Sequence, residues 1–296
     1  MARSSPSDGP SGFAIIDKEP GWTSHDVVAR ARKLLNTRKI GHSGTLDPSA
    51  TGVLVLGVGR GTRLLRFITE LPKNYEATFR LGIETSTLDA DGEVTATHDM
   101  GQVSLAEVRS AATRFEGAIE QIPPMVSAIK IDGKRLHELA REGKEVKREP
   151  RPVTIHELAI SEGDKASDFR MSVRCSSGTY IRTLAADIGA ALGGGAHIRD
   201  LRRTAIGPFT ESVATPLDDI SLIPLADGLI GRPHIAVAGA VSVAVRHGKV
   251  LEVGVLGATG VGPWAVVDVD GELLAVYEPH KPGTAKPAVV VSPAST

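Results

Sequence analysis

Apolar positions along the chain switch between two periods, and the switches mark its elements. GFAIID reads as a short buried strand. Ser24 followed by Val27, Val28, Ala31, Leu34 and Leu35 repeats at helical spacing, with Ser24 as the cap. The run VLVLGVG is unbroken and predicts a strand covered on both faces. YEATFRLGI alternates strictly, and DADGEV after it carries the Asp-Gly pair that favours a hairpin turn. Ser104 and Glu107 form a capping box ahead of Leu105, Val108, Ala112 and Phe115. KRLHELAREG reads as a short basic helix stopped by Gly143, PVTIHELAIS and FRMSVRC as strands, and Ile181 to Leu192 as a helix.

Strands and helices alternate without a βαβ rhythm, so the fold class is α+β: a mixed, largely antiparallel sheet with flanking helices. The character changes near Asp227 to Pro233. Beyond it the chain is Val- and Gly-rich, with a hairpin signature at Asp270-Gly271, which predicts a small β-rich second domain, read as all-β, over 231–290. Residues 1–10 read as a polar disordered leader, 11–230 as the larger domain, and KPGTAKPAVVVSPAST, at least from 291 to 296, as a frayed tail.

Length and composition narrow the classes. The 296 residues allow about two domains, and 41% hydrophobic with 23% charged residues is ordinary for a globular chain. No apolar run has membrane-spanning length and no secretory signal is apparent, so the expected setting is the cytoplasm, with no membrane. The lone Cys175 cannot pair within the chain and reads as a buried small hydrophobe. Nine scattered histidines form no zinc motif. LGVGRGT supplies G-x-G-x-G but not G-x-G-x-x-G, and neither a Walker loop nor a G-x-S-x-G elbow occurs. The expectation is therefore no metal and no cofactor.

A net charge of −1 conceals segregation. Between Arg30 and Arg66 there are eight basic residues and one acid, Asp47, while Lys130 to Arg151 holds eight basic residues against five acids. Such clusters suit contact with phosphates. From Arg232 onward, five basic residues balance five acidic ones. Asp47 itself stands in GHSGTLDPSATG, between helix and strand, where Asp before Pro is a common turn residue. If nearby arginines face it, its carboxylate stays ionised and can serve as a nucleophile.

Together these segments carry a resemblance. GHSGTLDPSATGVLVLGVGRGT is similar to the catalytic motif of the tRNA pseudouridine-55 synthases, and DKEPGWTS, KNYEATFRLG, TLDADGEV, PPMVSAIKIDGKRLHELAREGKEV and SSGTYIRTLAADIG stand around it in that family's order. The likeness covers about residues 12–205. It implies a cofactor-independent isomerase that turns the T-loop uridine 55 of tRNA outward and converts it to pseudouridine. By the same resemblance Asp47 attacks the nucleoside, at base or sugar; Tyr75 stacks on the base and serves in removing the C5 proton; and Arg182 pairs with Asp47. His42 is implied in base flipping, and Tyr180 and Leu201 in lining the pocket. Lys18, Lys130, Arg141 and Arg151 are implied in contacting RNA, with 130–151 as an RNA-clamping insertion. The C-terminal domain corresponds to a PUA-type RNA-binding module.

The implied partner is the T-stem loop of tRNA, with no obligatory protein partner and a monomeric chain. DKEPG places its proline one residue later than the common pattern, and His137 stands where tyrosine is frequent. Two other readings remain open at this point. One is a noncatalytic RNA-binding or tRNA-folding protein. The other is a carboxylate-dependent glycosidase, for which Asp89 or Asp91 would have to supply a second acid about 5 Å away; their DADG context favours a turn.

Overall fold

The computed structural model describes residues 9–127, 129–131, 134–136, 142, 144 and 146–292. Its main sheet is built from β1 (Gly12–Lys18), β2 (Ile40–His42), β3 (Thr51–Val58), β4 (Lys73–Leu81), β7 (Gly117–Gln121), β10 (Arg151–Glu162), β11 (Asp168–Cys175), β12 (Ala196–Ile206) and β13 (Phe209–Thr210). Two small hairpins, β5 (Ile83–Thr85) with β6 (Val94–Thr97) and β8 (Lys130–Ile131) with β9 (Lys134–Arg135), project from it. Along the sheet the order is β1-β3-β12-β4-β11-β10-β7, with β2 beside β3 and β13 beside β12. Every pairing in it is antiparallel except β12 with β3, so the expected α+β class with a largely antiparallel sheet stands.

Among the described residues, four helices flank this sheet: α1 (Ser24–Leu34), α2 (Leu65–Thr69), α3 (Leu105–Ala112) and α4 (Ile181–Ala191). The helix expected from Ser24 is present, but Thr23 is its cap and shares a capping box with Asp26. Ser24, one residue on, is buried and exchanges hydrogen bonds with Leu46, donating to its carbonyl at 3.2 Å and accepting from its N–H at 2.9 Å. The box at Ser104 and Glu107 forms as read. β3 is buried on both faces, as its unbroken apolar run requires: Leu54, Leu56 and Val58 pack under α1, while Val53 and Val55 face α2 and the C-terminal domain. In β4 the alternation is one-sided, with Lys73, Tyr75, Ala77, Phe79 and Leu81 buried. That face meets α4 through Leu184 and Ile188, and α3 through Val108.

A strand that periodicity did not reveal, β12, lies between β3 and β4. Its sequence AHIRDLRRTAI does not alternate because register shifts after Ile198 and Arg203 turn neighbouring side chains to the same side. At the β3 contact, Gly52 has φ +97° and lies so close to the Arg203 carbonyl that any Cβ would come within 2.2 Å of it.

The C-terminal domain consists of β14 (His234–Ala236), β15 (Leu251–Glu252), β16 (Trp264–Val267), β17 (Leu273–Pro279) and β18 (Thr284–Val290) in one sheet, ordered β14-β16-β17-β18-β15. The hairpin at Asp270-Gly271 joins β16 and β17 as expected. Two expectations are corrected here. The domain is not all-β, since α5 (Gly239–Arg246) and α6 (Val253–Leu256) belong to it. The Pro/Ala-rich end is not frayed from Lys281: β18 is paired, and Val291 after it is 1% exposed in the hydrophobic seam. Part of the basic run after Arg30 makes contacts within the molecule, although most of its side chains stay exposed. Arg60 donates to Ser292 at 3.1 Å, Arg63 to the Val290 carbonyl at 2.6 Å, and Arg66 faces Glu278 at 3.9 Å, all across the seam to the C-terminal domain. Arg30 pairs with Asp218 at 2.8 Å. The short basic helix read over 134–143, with its stop at Gly143, falls mostly outside the described residues, as do the ends of the leader and tail.

Three adjacent strands are tied by one buried acid. Asp168 on β11 accepts from Arg80 on β4 at 2.6 and 3.0 Å and from Arg199 on β12 at 2.7 Å. Burial alone would raise its carboxyl, but the two arginines outweigh burial and hold it below the ordinary value. A depressed folded-state value means the contribution is complete above about pH 4 and is lost as pH falls through the folded value. Asp168→Asn should cost about 3 kcal/mol at neutral pH, with a smaller difference from wild type in strong acid. Urea unfolding at two pH values checks this; an equal loss at both would show that the charge is not what matters.

Candidate active site

Asp47 sits at the turn between β2 and β3, in a loop braced from beneath. Lys18, the last residue of β1, is 1% exposed and donates to the carbonyls of Glu19 at 3.0 Å, Trp22 at 2.7 Å and Pro48 at 3.1 Å. The Gly21 N–H also donates to Pro48, and Ser24 holds Leu46. These bonds surround the aspartate and set the loop's path. Burial brings the Lys18 ammonium down to about 8, against the pull of Asp47. The expectation that Lys18 meets RNA is thereby corrected: its ammonium is spent on three carbonyls inside the protein, where no phosphate can reach it.

Arg182, the second residue of α4, reaches the loop. It is 4% exposed, not the solvent-facing cation that a helix position suggests, and its donors are matched one by one. Nε stands 3.0 Å from Asp47 Oδ2, Nη1 stands 3.2 Å from Asp89 Oδ2 and donates to the Thr87 carbonyl at 2.6 Å, and Nη2 donates to the Val126 carbonyl at 2.8 Å. The helix start that carries it is fixed in turn by Gln121, whose amide accepts from the Tyr180 N–H at 2.9 Å and donates to its carbonyl at 3.2 Å. Burial pushes the Asp47 carboxyl above its ordinary value; Arg182 and Lys18 pull it back, while Asp89 and Asp91 add to the rise.

Beside Asp47 opens a cleft of about 290 Å³. Its walls include Tyr75, Tyr180, Leu201, Lys73 and Arg203, together with the Ser43–Asp47 and Ser176–Thr179 loops. The sequence-derived group Asp47, Tyr75, Arg182, Tyr180 and Leu201 is thus brought to one cavity. Tyr75 is 9% exposed on β4, and Leu201 lies on the adjacent strand, opposite Ala77. His42 stands at the rim side of the loop rather than on the cleft wall. Its Nδ1 accepts from the Gly44 N–H at 3.3 Å, its ring meets His25 edge-on at 5.5 Å, and burial lowers its basicity, aided by His25 and Arg203. Arg151 opens β10, exposed, and its charge bears on Tyr180. The Lys130 side chain and the whole of Arg141 lie outside the described residues.

Three residues escaped the sequence reading. Asp89 was taken for a turn residue; it does sit in the turn of the β5–β6 arm, but faces Arg182 from there and is 9% exposed. It is absent from the cleft wall, so it does not supply the second acid facing a sugar that a glycosidase needs. Lys73 and Arg203 were hidden in strands. The alternation of β4 assigns Lys73 to the same face as Tyr75, a signal that was available; Arg203 lies in the strand whose bulges erased its period. Among the described residues no three His, Cys, Asp or Glu side chains gather as metal ligands, and no helix is long and apolar enough to cross a membrane.

A cleft lined by an arginine-paired aspartate and two tyrosines, on a mixed sheet with an appended β-rich domain, has counterparts among known proteins. Residues 32–181 match the TruB family pseudouridylate synthase N-terminal domain, and residues 182–226 the tRNA pseudouridylate synthase B C-terminal domain. The chain belongs to the TruB family of pseudouridylate synthases. Curated relatives called tRNA pseudouridine synthase B include those of Arthrobacter sp. (strain FB24), 42% identical over 96% of this chain and 98% of the relative, and Rhodococcus jostii (strain RHA1), 45% identical over 99% of each. Among solved structures, a crystal structure of a Cbf5-Nop10-Gar1 complex aligns with a TM-score of 0.73 at 26% identity, covering 99% of this chain and 92% of that one.

Because burial dominates at Asp47, its carboxyl should titrate above a surface aspartate, and removing the paired cation in Arg182→Met should move the midpoint higher still. Carbon-13 NMR of labelled aspartate carboxyls, assigned with Asp47→Asn, reads this directly; a downward move in Arg182→Met would contradict the assigned pairing.

Proposed function

We propose that this protein isomerises the T-loop uridine 55 of tRNA to pseudouridine, with Asp47 as the nucleophile. The observation that carries the reading is the buried Arg182 guanidinium holding Asp47 at 3.0 Å on the wall of a cleft bounded by Tyr75 and Tyr180. A carboxylate held by a cation that has no freedom to turn away stays aimed at whatever enters. A base inside a folded loop cannot present its glycosidic bond to it, so the uridine must be turned outward. Tyr75 offers the flipped ring a stacking surface, which offsets part of the unstacking cost at about 1–3 kcal/mol per base, and Leu201 closes the apolar side. His42, neutral and held through Nδ1 by the loop backbone, is poised on the path the base leaves behind.

The chemistry exchanges one base-to-sugar bond for another. The C1′–N1 bond breaks, the ring rotates, C1′ bonds to C5, and the C5 proton is released while N1 takes one up. Atoms and oxidation state balance without a co-reactant. Asp47 is the nucleophile in this exchange, at the sugar or at the base. Lys18 acts through the loop it braces rather than on the RNA. Arg151 and the basic segment around Lys130 and Arg141 contact phosphates and hold register, and the C-terminal domain contributes a PUA-type RNA surface. The protein works as a monomer in the cytoplasm, without cofactor.

Tritium at C5 of uridine in tRNA reports the reaction, because bonding C5 to C1′ expels that hydrogen. Wild-type protein should release it, and Asp47→Asn should reduce release by at least about 100-fold while binding tRNA with little change. Release undiminished in Asp47→Asn would remove the nucleophile, and no release from wild-type protein that binds tRNA would leave the noncatalytic RNA-binding reading.

A further inference from the structure

Arg203 is the largest fully buried side chain among the described residues, 1% exposed, and it makes no ion pair among them. A buried guanidinium without an anion is costly unless its donors are matched. Nε donates to the Val53 carbonyl at 2.7 Å and Nη2 to the Gly44 carbonyl at 3.2 Å, which ties β3 to the loop three residues ahead of Asp47. Arg203 and Tyr75 are directly opposite in the β12–β4 register, so their side chains leave the same face of the sheet, and both line the cleft.

We propose that Arg203 is the positioning residue for Tyr75: its guanidinium orients the phenolic oxygen toward the flipped base and supplies the counter-charge on which that oxygen accepts the C5 proton. This rests on the pseudouridine-forming reading of the cleft. Once C1′ is bonded to C5, the proton on C5 passes to the Tyr75 phenolate oxygen and the C5–H electron pair closes the C5=C6 bond. The phenol then returns the proton to solvent.

The groups around the phenol divide by sign, with Arg203 alone against the rest. Burial raises Tyr75 above the ordinary phenol value, and Cys175 on β11 and Asp47 on the loop add to the rise; the Arg203 guanidinium opposes it. Lys73 shares the buried face of β4, and burial with Arg203 beside it brings its ammonium to about 8. Arg203 is therefore the principal cation that makes an anionic oxygen tolerable there.

The test has two arms. The chain has three tyrosines, so phenolate absorbance against pH, compared with Tyr75→Phe, isolates the Tyr75 step. Its midpoint should rise in Arg203→Met and lie between the two in Arg203→Lys; an unmoved midpoint in both overturns the proposal. In single-turnover tritium release from C5-labelled tRNA, Arg203→Met should fall about 100-fold with tRNA affinity retained, and Arg203→Lys should recover part of the rate. In the Tyr75→Phe background the Arg203 substitutions should cost little more, since the two act as one unit. Fully additive losses would mean that Arg203 only supports the fold. If Arg203→Met does not fold, Arg203→Lys carries both arms. Should wild-type protein release no tritium, the functional reading fails, while the absorbance arm still judges the Arg203–Tyr75 pair by itself.

Discussion

A guanidinium 4% exposed must find an acceptor for every donor it presents, and Arg182 finds them on three separate stretches of chain. The loop between β2 and β3 contributes Asp47, the β5–β6 arm contributes Asp89 and Thr87, and the segment after β7 contributes Val126, while α4 carries the arginine. Satisfying one buried cation gathers them, and the cleft is the space left beside the gathering point. The same constraint sets the electrostatics: burial lifts the Asp47 carboxyl and the arginine opposes the rise, so the charge on Asp47 depends on the contact that also orients it.

Buried cations recur around this centre in a graded way. Arg182 is compensated by two carboxylates, Arg203 by none, and Lys18 and Lys73 are both brought to about 8 by burial. The loop holding Asp47 is thus fastened by cations bonded to backbone carbonyls, from Lys18 to Pro48 and from Arg203 to Gly44. Carbonyl acceptors fix geometry without neutralising charge, which leaves a positive field in the cleft for an anionic intermediate or a phosphate to meet. The arginines at positions 60, 63 and 66 behave differently. Conspicuous in sequence, they reach across the seam where Val53, Phe67 and Ile206 of the larger domain join Val267, Leu273 and Val289 of the smaller one in a single hydrophobic cluster.

Much of the fold was legible because local periodicity survives wherever a strand or helix has one dry side. β4 alternates because α3 and α4 cover one face and water the other; β3 does not because both faces are covered. β12 was illegible for the opposite reason, since its bulges put charged and apolar residues out of phase. The C-terminal helices were missed because α5, in GAVSVAVR, carries valine at every second position, a β-branched residue of weak helix preference in a spacing that reads as strand. In the site, Asp47, Tyr75, Tyr180, Arg182 and Leu201 were readable through family motifs, whereas Asp89 looked like a turn and is one, with a second task.

What the residues alone determined is chemistry and local conformation: a single acid in a cation-rich stretch, one-sided strands, capped helices, and motifs that mark a uridine isomerase. Which charges face a ligand and which face the protein's own carbonyls was decided only in three dimensions. Lys18 and Arg203 are indistinguishable from RNA-binding cations in sequence, and desolvation by strands distant along the chain turns them into internal fasteners. Side-chain environment is set by non-local packing, and a pattern read along one strand cannot contain it.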